Sequence, residues 1–339
     1  MNIEDKIPLI IYDSSDEYES AKNDVILWQG FDNKKRKNFF SIHDLVEQDS
    51  ENLKYKYLEL VYNLGNLKYK DKTVVEHFAI RPNLSHWWMT LLVEKCNFSK
   101  SPQIDGLIKL MAFENWFNKS DYSEIILISS NKKLAQSLEI LASEIFVSFE
   151  WRKRKLIKRD KSLTKYLSNY LPYSCKGILW LFHHLISHWS LKGVGIKKWK
   201  ATSARIAFVS YFMNLTPNSV KKGIYESNYW TSLTNLLKTN NVSSNWLHIY
   251  VKNESFPNIK SAKNLIKKFN KSNGEVHVFL HSFLSTKIVF QVLKIWWKLF
   301  NLEKPIRNLL NKNNTKYWPF LENDYKNSIL GPAGTSNLL

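Results

Sequence analysis

The sequence predicts an α/β protein of two Rossmann-like domains, each a parallel sheet covered by helices. Three observations carry that expectation. Short apolar runs, at residues 8–12, 25–28 and 124–129, alternate with stretches whose apolar residues recur every three to four positions. From residue 204 onward the same alternation repeats three times, and strands separated by helices pair in parallel through right-handed crossovers. At 339 residues the chain is long enough to fill two cores.

In chain order, residues 8–12 form a first strand that feeds the acidic loop 13–17. Residues 25–28 form a second, closed by Gly30 and the charged turn 32–37. Residues 42–64 are helical in period, with Leu53, Tyr57, Leu60 and Leu64 on one side and Gly65 placed to end the helix. Two apolar helices follow. One covers 85–95 with Ser85 as N-cap; the other runs from Ser101 and Pro102 to Phe117, with Ile104, Leu107, Ile108, Met111 and Ala112 on its core face. Strand 124–129 then leads through Asn131 into a helix burying Leu134, Leu138, Leu141 and Ile145, half of a doubly wound unit.

At residue 151 the composition shifts sharply. Six of the nine residues 151–159 are basic, and they lead into the apolar, histidine-bearing stretch 177–189. The domain boundaries expected are therefore 1–150 for the first Rossmann-like domain, 151–200 for a basic and aromatic interdomain helical segment, and 201–339 for the second domain. In that last part, strands at 204–212, 245–251 and 276–281 alternate with helices at 227–237, 261–270 and 285–300. Residues 331–339 read as a loop opening a helix, so the natural chain is expected to continue and the second domain to be incomplete here.

Apolar content of 44% and charged content of 23% are those of a folded chain rather than a disordered one. Cys96 and Cys175 form neither a metal motif nor a disulfide framework, which fits a reducing compartment. The first residues are polar and acidic, unlike a secretory signal, and no apolar run nears the roughly 20 residues that span a bilayer. The expected location is the cytoplasm, with peripheral attachment to the inner membrane. Charge is unevenly placed: residues 1–150 hold 18 Lys and Arg against 23 Asp and Glu, residues 151–339 hold 31 against 7. The second half is therefore expected to meet phosphates, nucleic acid or an acidic lipid surface, against the plainer reading of lysines on solvated faces. Basic residues beside Trp, Phe and Leu in 151–200 suit a helix lying on an anionic membrane, or equally an interdomain helix that packs its apolar side on both domains.

No Gly-x-Gly-x-x-Gly, Walker or nucleophile-elbow motif occurs, and no cofactor is expected. His184 and His188 stand one helical turn apart beside His183, but with no carboxylate near them the spacing is assigned to no metal. The residues expected to do chemistry are Glu94, Glu114, Glu226 and His248, as bases at an acceptor hydroxyl. Those expected to hold substrate are Arg81, Ser85, Trp87 and Trp88 in the first half, with Tyr211, Ser227, Tyr229 and Trp230 in the second. Aromatic rings there would stack on sugar faces. Each has a plainer role: His248 lies inside a strand, as a core histidine would, and Glu114 sits where it can pair with a cation.

The segments Arg81-Pro-Asn-Leu-Ser-His-Trp-Trp-Met-Thr-Leu-Leu-Val-Glu-Lys95, 101–116, Ser227-Asn-Tyr-Trp230 and Asn245-Trp-Leu-His-Ile249 resemble a family of bacterial surface carbohydrate (O-antigen or lipopolysaccharide) biosynthesis proteins. The resemblance spans most of the chain and is carried by the aromatic clusters. It implies glycosyl transfer from a nucleotide sugar to a glycan or lipid-linked acceptor, on a GT-B-like pair of domains. No catalytic residue is carried over from it. Two rival readings are a non-catalytic assembly protein of the same pathway and a basic nucleic-acid-binding module. The second is disfavoured because the rings occupy apolar-periodic positions rather than a polar face.

Overall fold

The computed structural model describes residues 8–19, 22–93, 102–155, 170–252, 258–271 and 274–339. The chain is α/β with parallel sheets, as expected, and divides into two compact units. One is Met1–Ile178 together with Ile295–Leu338, the other Leu179–Lys294.

In the first unit, strands β1 (Leu9–Tyr12), β2 (Val25–Leu27) and β3 (Phe39–Ser41) lead into helices α1 (Ile42–Gln48) and α2 (Ser50–Asn66). Two small hairpins, β4 (Lys68–Tyr69) with β5 (Lys72–Thr73) and β6 (Ala79–Arg81) with β7 (Leu84–Ser85), flank the single-turn helix α3 (Val74–His77). Helix α4 (Pro102–Phe117), strand β8 (Glu124–Ser129), helix α5 (Lys132–Glu144) and strand β9 (Ser148–Lys153) follow. The sheet runs β3-β2-β1-β8-β9, parallel throughout. Strand β1 is buried on both faces, which is why its sequence is apolar without alternation. Leu9 and Ile11 enter the large core on one side, Ile10 and Tyr12 the small one on the other.

Helix α6 (Tyr173–His188) crosses the division between the units. Then come α7 (Ile196–Ala201), β10 (Ile206–Tyr211), α8 (Pro217–Lys222), α9 (Ser232–Thr239), β11 (Ser244–Ile249), α10 (Ile259–Phe269) and β12 (Glu275–Phe279). Strands β10, β11 and β12 lie side by side in parallel. Their core holds Phe212, Tyr225, Trp246, Ile266 and Phe269. Helix α11 (Thr286–Asn313) carries the chain back across the division into α12 (Trp318–Ile329) and α13 (Pro332–Leu338).

Those returning helices differ from the expected second domain. Leu299, Ile306, Trp318, Phe320 and Tyr325 complete the large core of the first unit. His86 Nε2 meets the Ser328 carbonyl at 2.7 Å, and the Leu91 amide donates to Ser328 Oγ at 2.8 Å. The basic start of the expected linker is also reassigned. Residues 151–153 finish β9, an edge strand with Glu150 and Arg152 paired in solvent and Trp151 packed on the core.

The helix expected over 85–95 is instead the second strand of a hairpin followed by a 3₁₀ turn, His86–Met89. Pro82 and Asn83 make a two-residue turn in which Asn83 takes φ 61°, a left-handed conformation asparagine tolerates. Ser85 does cap, accepting from the Trp87 amide at 3.3 Å. Gly65 does not end its helix. It lies within α2 because a Cβ there would meet Trp87 Nε1 at 2.7 Å. Asn131 is the N-cap expected of it, accepting from the Lys133 and Leu134 amides. Ser101 and the basic run 156–159 lie outside the described residues.

Candidate functional site

Open parallel sheets bind ligands beyond the carboxyl ends of their strands. The two units differ in what the sequence supplies around their sheets. In the first unit the strand order reverses between β1 and β8, and the loops beyond β1 and β2 enclose a small acidic hollow lined in part by Asp16, Glu17, Asp32 and Arg36. Its acids are paired: Arg36 with Asp32 at 2.8 Å, Lys34 with Glu17 at 3.0 Å, and Arg154 with Asp16. The second unit carries 16 Lys and Arg against 3 Asp and Glu over residues 179–294, a net charge of +13. A charge of that size makes the potential around this unit positive.

At the carboxyl end of β10 the chain makes a 3₁₀ turn, Phe212–Asn214, and Leu215 bridges back to Ser227. This brings Tyr211, Glu226, Ser227, Tyr229 and Trp230 into one loop pair, as the sequence reading requires. Glu226 is half-buried and accepts from Thr216 Oγ1 at 3.0 Å. Ser227 is buried, and its hydroxyl accepts from the amides of Tyr229 and Trp230, both at 3.2 Å. Ser227 is therefore a loop brace and does not open the helix expected over 227–237. Helix α9 starts five residues later. Trp230 packs edge-on to Phe208. Tyr229 and Tyr211 are exposed, at 70% and 48%, and are the two rings here free to meet a sugar or base.

His248 is corrected. It is wholly buried in β11 with a ring nitrogen 3.0 Å from Nδ1 of His277, their rings parallel, among Phe212, Tyr225 and Phe279. Burial, and then the neighbouring His277, hold it well below the usual imidazole range. A neutral ring sealed from solvent cannot take a proton from a substrate. The sign of its effect on stability follows. Its folded pKa lies below the unfolded value, so its contribution is present above about pH 6.5 and shrinks as acid protonates the unfolded chain. The second unit is expected to lose stability from pH 7 to pH 5.5. His248→Phe is expected to make that slope shallower, by a difference that grows as pH falls towards a limit of about 1.4 kcal/mol per pH unit below the ordinary imidazole range. Thermal melts across this range check it, and an unchanged slope would contradict it.

The first-half candidates scatter. Trp87 is fully buried in the core and faces no ligand, whereas Trp88 is about half exposed. Ser85 is buried and donates to the Val75 carbonyl at 2.6 Å. Arg81 is exposed on its hairpin. Glu114 is also corrected. Its oxygens are taken by Lys316 at 2.6 Å, Lys56 at 2.9 Å and the Tyr317 hydroxyl at 2.5 Å. Burial pushes this carboxyl up, but the hydrogen bonds from Lys316, Tyr317 and Lys56 outweigh it and leave it below its ordinary value. It organises packing and is closed to a substrate. Glu94 lies outside the described residues.

The sequence reading also missed a grouping. His184 and His188 on α6 meet His281, which follows β12 in the 3₁₀ turn Leu280–Phe283. Nε2 of His184 and of His281 are 3.0 Å apart, and His188 Nδ1 donates to the His184 carbonyl at 2.9 Å. Trp180 stacks on His184, which stacks on His188, which stacks on His281. Tyr250, just past β11, meets the His188 ring edge-on. Burial, then the neighbouring histidines, depress His184 to about 4 and His281 to about 3, so both rings are neutral at pH 7. The spacing of His184 and His188 was visible in the sequence; His281, 93 positions further on, was not.

Comparison with models of known protein families, with curated proteins and with solved structures finds no match for this chain.

Proposed function

We propose that the protein is a membrane-peripheral enzyme of surface glycan assembly, passing a sugar from a nucleotide donor to a lipid-linked or glycan acceptor. The reading rests on the two α/β units taken as a GT-B-like pair and on the resemblance of the aromatic segments. The observation that carries it is a stripe of exposed apolar side chains on the most basic unit. Leu179, Phe182 and Ile186 recur at helical spacing along the outer face of α6, and Trp189 continues the line just past its end. Beside them, Leu185, Ile186, Trp189, Thr286, Val289 and Phe290 line a shallow groove of about 370 Å³. Lys192 lies over the Trp189 ring at 4.9 Å, and Lys287 is exposed next to Thr286.

Such a face suits the boundary between headgroups and acyl chains, with each nearby lysine contributing about 1 kcal/mol on an anionic surface. A nucleic acid would gain nothing from the apolar stripe, which favours glycan over nucleic-acid chemistry. In this reading lysines of the second unit neutralise the leaving diphosphate, and Tyr211 and Tyr229 stack on the sugar or base. Glu226 is the base, being the one carboxylate candidate among the described residues neither sealed nor fully paired.

Vesicle flotation tests the reading. The protein is expected to float with phosphatidylglycerol vesicles and not with phosphatidylcholine. Phe182→Glu with Ile186→Glu is expected to abolish flotation and, in cells, surface glycan output. Deletion of the protein without change in surface glycan would reject the pathway. Flotation unaffected by the two glutamates would reject the docking face.

A further inference from the structure

Helix α6 has two functional faces. Opposite its exposed stripe, Leu181 and Leu185 anchor the inner face, and the polar residues placed among them are His184 and His188. Apolar rings would fill that space without the cost of desolvating imidazole. The turn bearing His281 is held firmly to the segment after α6. The Gly193 amide donates to the Ser282 carbonyl at 2.9 Å, the Phe279 amide to Ser282 Oγ at 3.1 Å, and the Leu284 amide to the His281 carbonyl at 3.1 Å. The three side chains therefore meet through backbone that is already fixed on both sides.

One ring nitrogen from each histidine lies within 4.8 Å of the other two, and the closest pair is 3.0 Å apart. Tetrahedral zinc with bonds of about 2.0–2.1 Å holds its nitrogens roughly 3.3 Å apart. The rings lie stacked, His184 on His188 and His188 on His281, so binding turns them out of the stack until their nitrogens converge on one ion. His188 donates from Nδ1 to a carbonyl, which leaves Nε2 with its lone pair free, the tautomer that metal-binding histidines are held in by such a bond. Nδ1 of His281 is shut away from solvent without a partner among the described residues, and the ring's other nitrogen meets only His184. The set contains no carboxylate or thiolate, and neutral imidazoles select zinc and its neighbours over magnesium or calcium.

We propose that His184, His188 and His281 form a three-histidine site for a divalent transition metal, zinc foremost, at the carboxyl edge of the second unit's sheet. Three protein ligands leave the fourth position of a tetrahedral ion to water or to an anionic oxygen. The site stands independently of the glycan reading: it requires only these three rings.

The test uses tag-free full-length protein, stripped with a chelator and desalted, and titrated with Zn²⁺ in competition with a chromogenic chelator. One equivalent is expected to bind, Co²⁺ is expected to give the visible absorption of a four-coordinate site, and Mg²⁺ neither. His281→Ala and His188→Gln are each expected to weaken zinc binding by at least ~100-fold, since losing a ligand costs more than losing the group that orients one. His183→Ala, an exposed neighbour outside the cluster, is expected to leave it unchanged. Circular dichroism identifies a variant that fails to fold. If His281→Ala does so, the half-exposed His188→Gln decides. No zinc uptake at micromolar protein, or uptake indifferent to a folded variant of either histidine, overturns the site.

Discussion

Adding one methyl group at Gly177 is expected to cost the folded protein about 3 kcal/mol or more, at the upper end of what overpacking does. A Cβ there would stand 2.0 Å from the Leu330 carbonyl oxygen and 2.8 Å from Thr335 Oγ1. The first of these is backbone at the junction of α12 and α13, so no side chain can swing away. Helix α6 and the C-terminal helices would have to separate, opening the first unit's core where Trp296 Nε1 reaches the same carbonyl. Thermal unfolding of Gly177→Ala against Gly30→Ala measures the effect. Gly30 has nothing within 4 Å of the added carbon, and its variant is expected to stay within about 0.5 kcal/mol of the parent. Equal melting temperatures for the two variants would mean that the helices do not approach this closely.

Removal of the Glu114 carboxylate is the second large effect. Breaking a buried pair by deleting one partner costs roughly 3–5 kcal/mol. Lys56 and Lys316 keep part of their surface in water, which lowers the expectation for Glu114→Ala to about 2–4 kcal/mol. The pH dependence has a definite sign. The carboxyl's folded pKa is depressed, so its stabilisation is complete above the ordinary carboxylate range and is lost as pH falls through the folded value. Glu114→Gln is expected to be less stable at pH 7 and to approach the parent in acid. Denaturant titrations at pH 7 and pH 4 check this, and a constant difference between the two proteins would contradict it. Because Glu114 on α4 binds Lys316 and Tyr317, the loss reaches the C-terminal helices as well.

Much of the fold was legible from local pattern. Strands β1, β2, β8, β10, β11 and β12 are short apolar runs, and a parallel sheet needs little more to be recognised. What failed did so for identifiable reasons. Strand β9 pairs one edge only, so its outward Glu150 and Arg152 and the basic residues after it looked like a linker. Residues 85–95 have helical composition, but Pro82 and Asn83 impose a hairpin just before them. Gly65 answered a close approach by Trp87, which no neighbouring residue in the sequence announces. The return of residues 295–338 to the first unit is a long-range packing fact without a local sign.

The candidate site was legible to the same degree. Tyr211, Glu226, Ser227, Tyr229 and Trp230 do gather in one loop pair, because the chain after β10 turns back so that Leu215 bridges Ser227 and Thr216 bonds Glu226. Glu114, His248 and Trp87 share the chemistry of functional residues but are enclosed, and enclosure is settled by what the rest of the chain lays over a position. The histidine cluster shows the converse. Two of its members were in view as a pair, and the third came from the far end of a strand.

The split of the first unit around residues 179–294 has a consequence for synthesis. A nascent chain leaving the ribosome exposes the apolar faces of α4 and α5 long before α12 exists to cover them. The later unit emerges and can close on itself while the earlier one still waits. Any ribosome that stalls ahead of Trp318 releases a chain with one finished body and one open wound on α4 where Phe320 would have met Gly106, a natural substrate for chaperones.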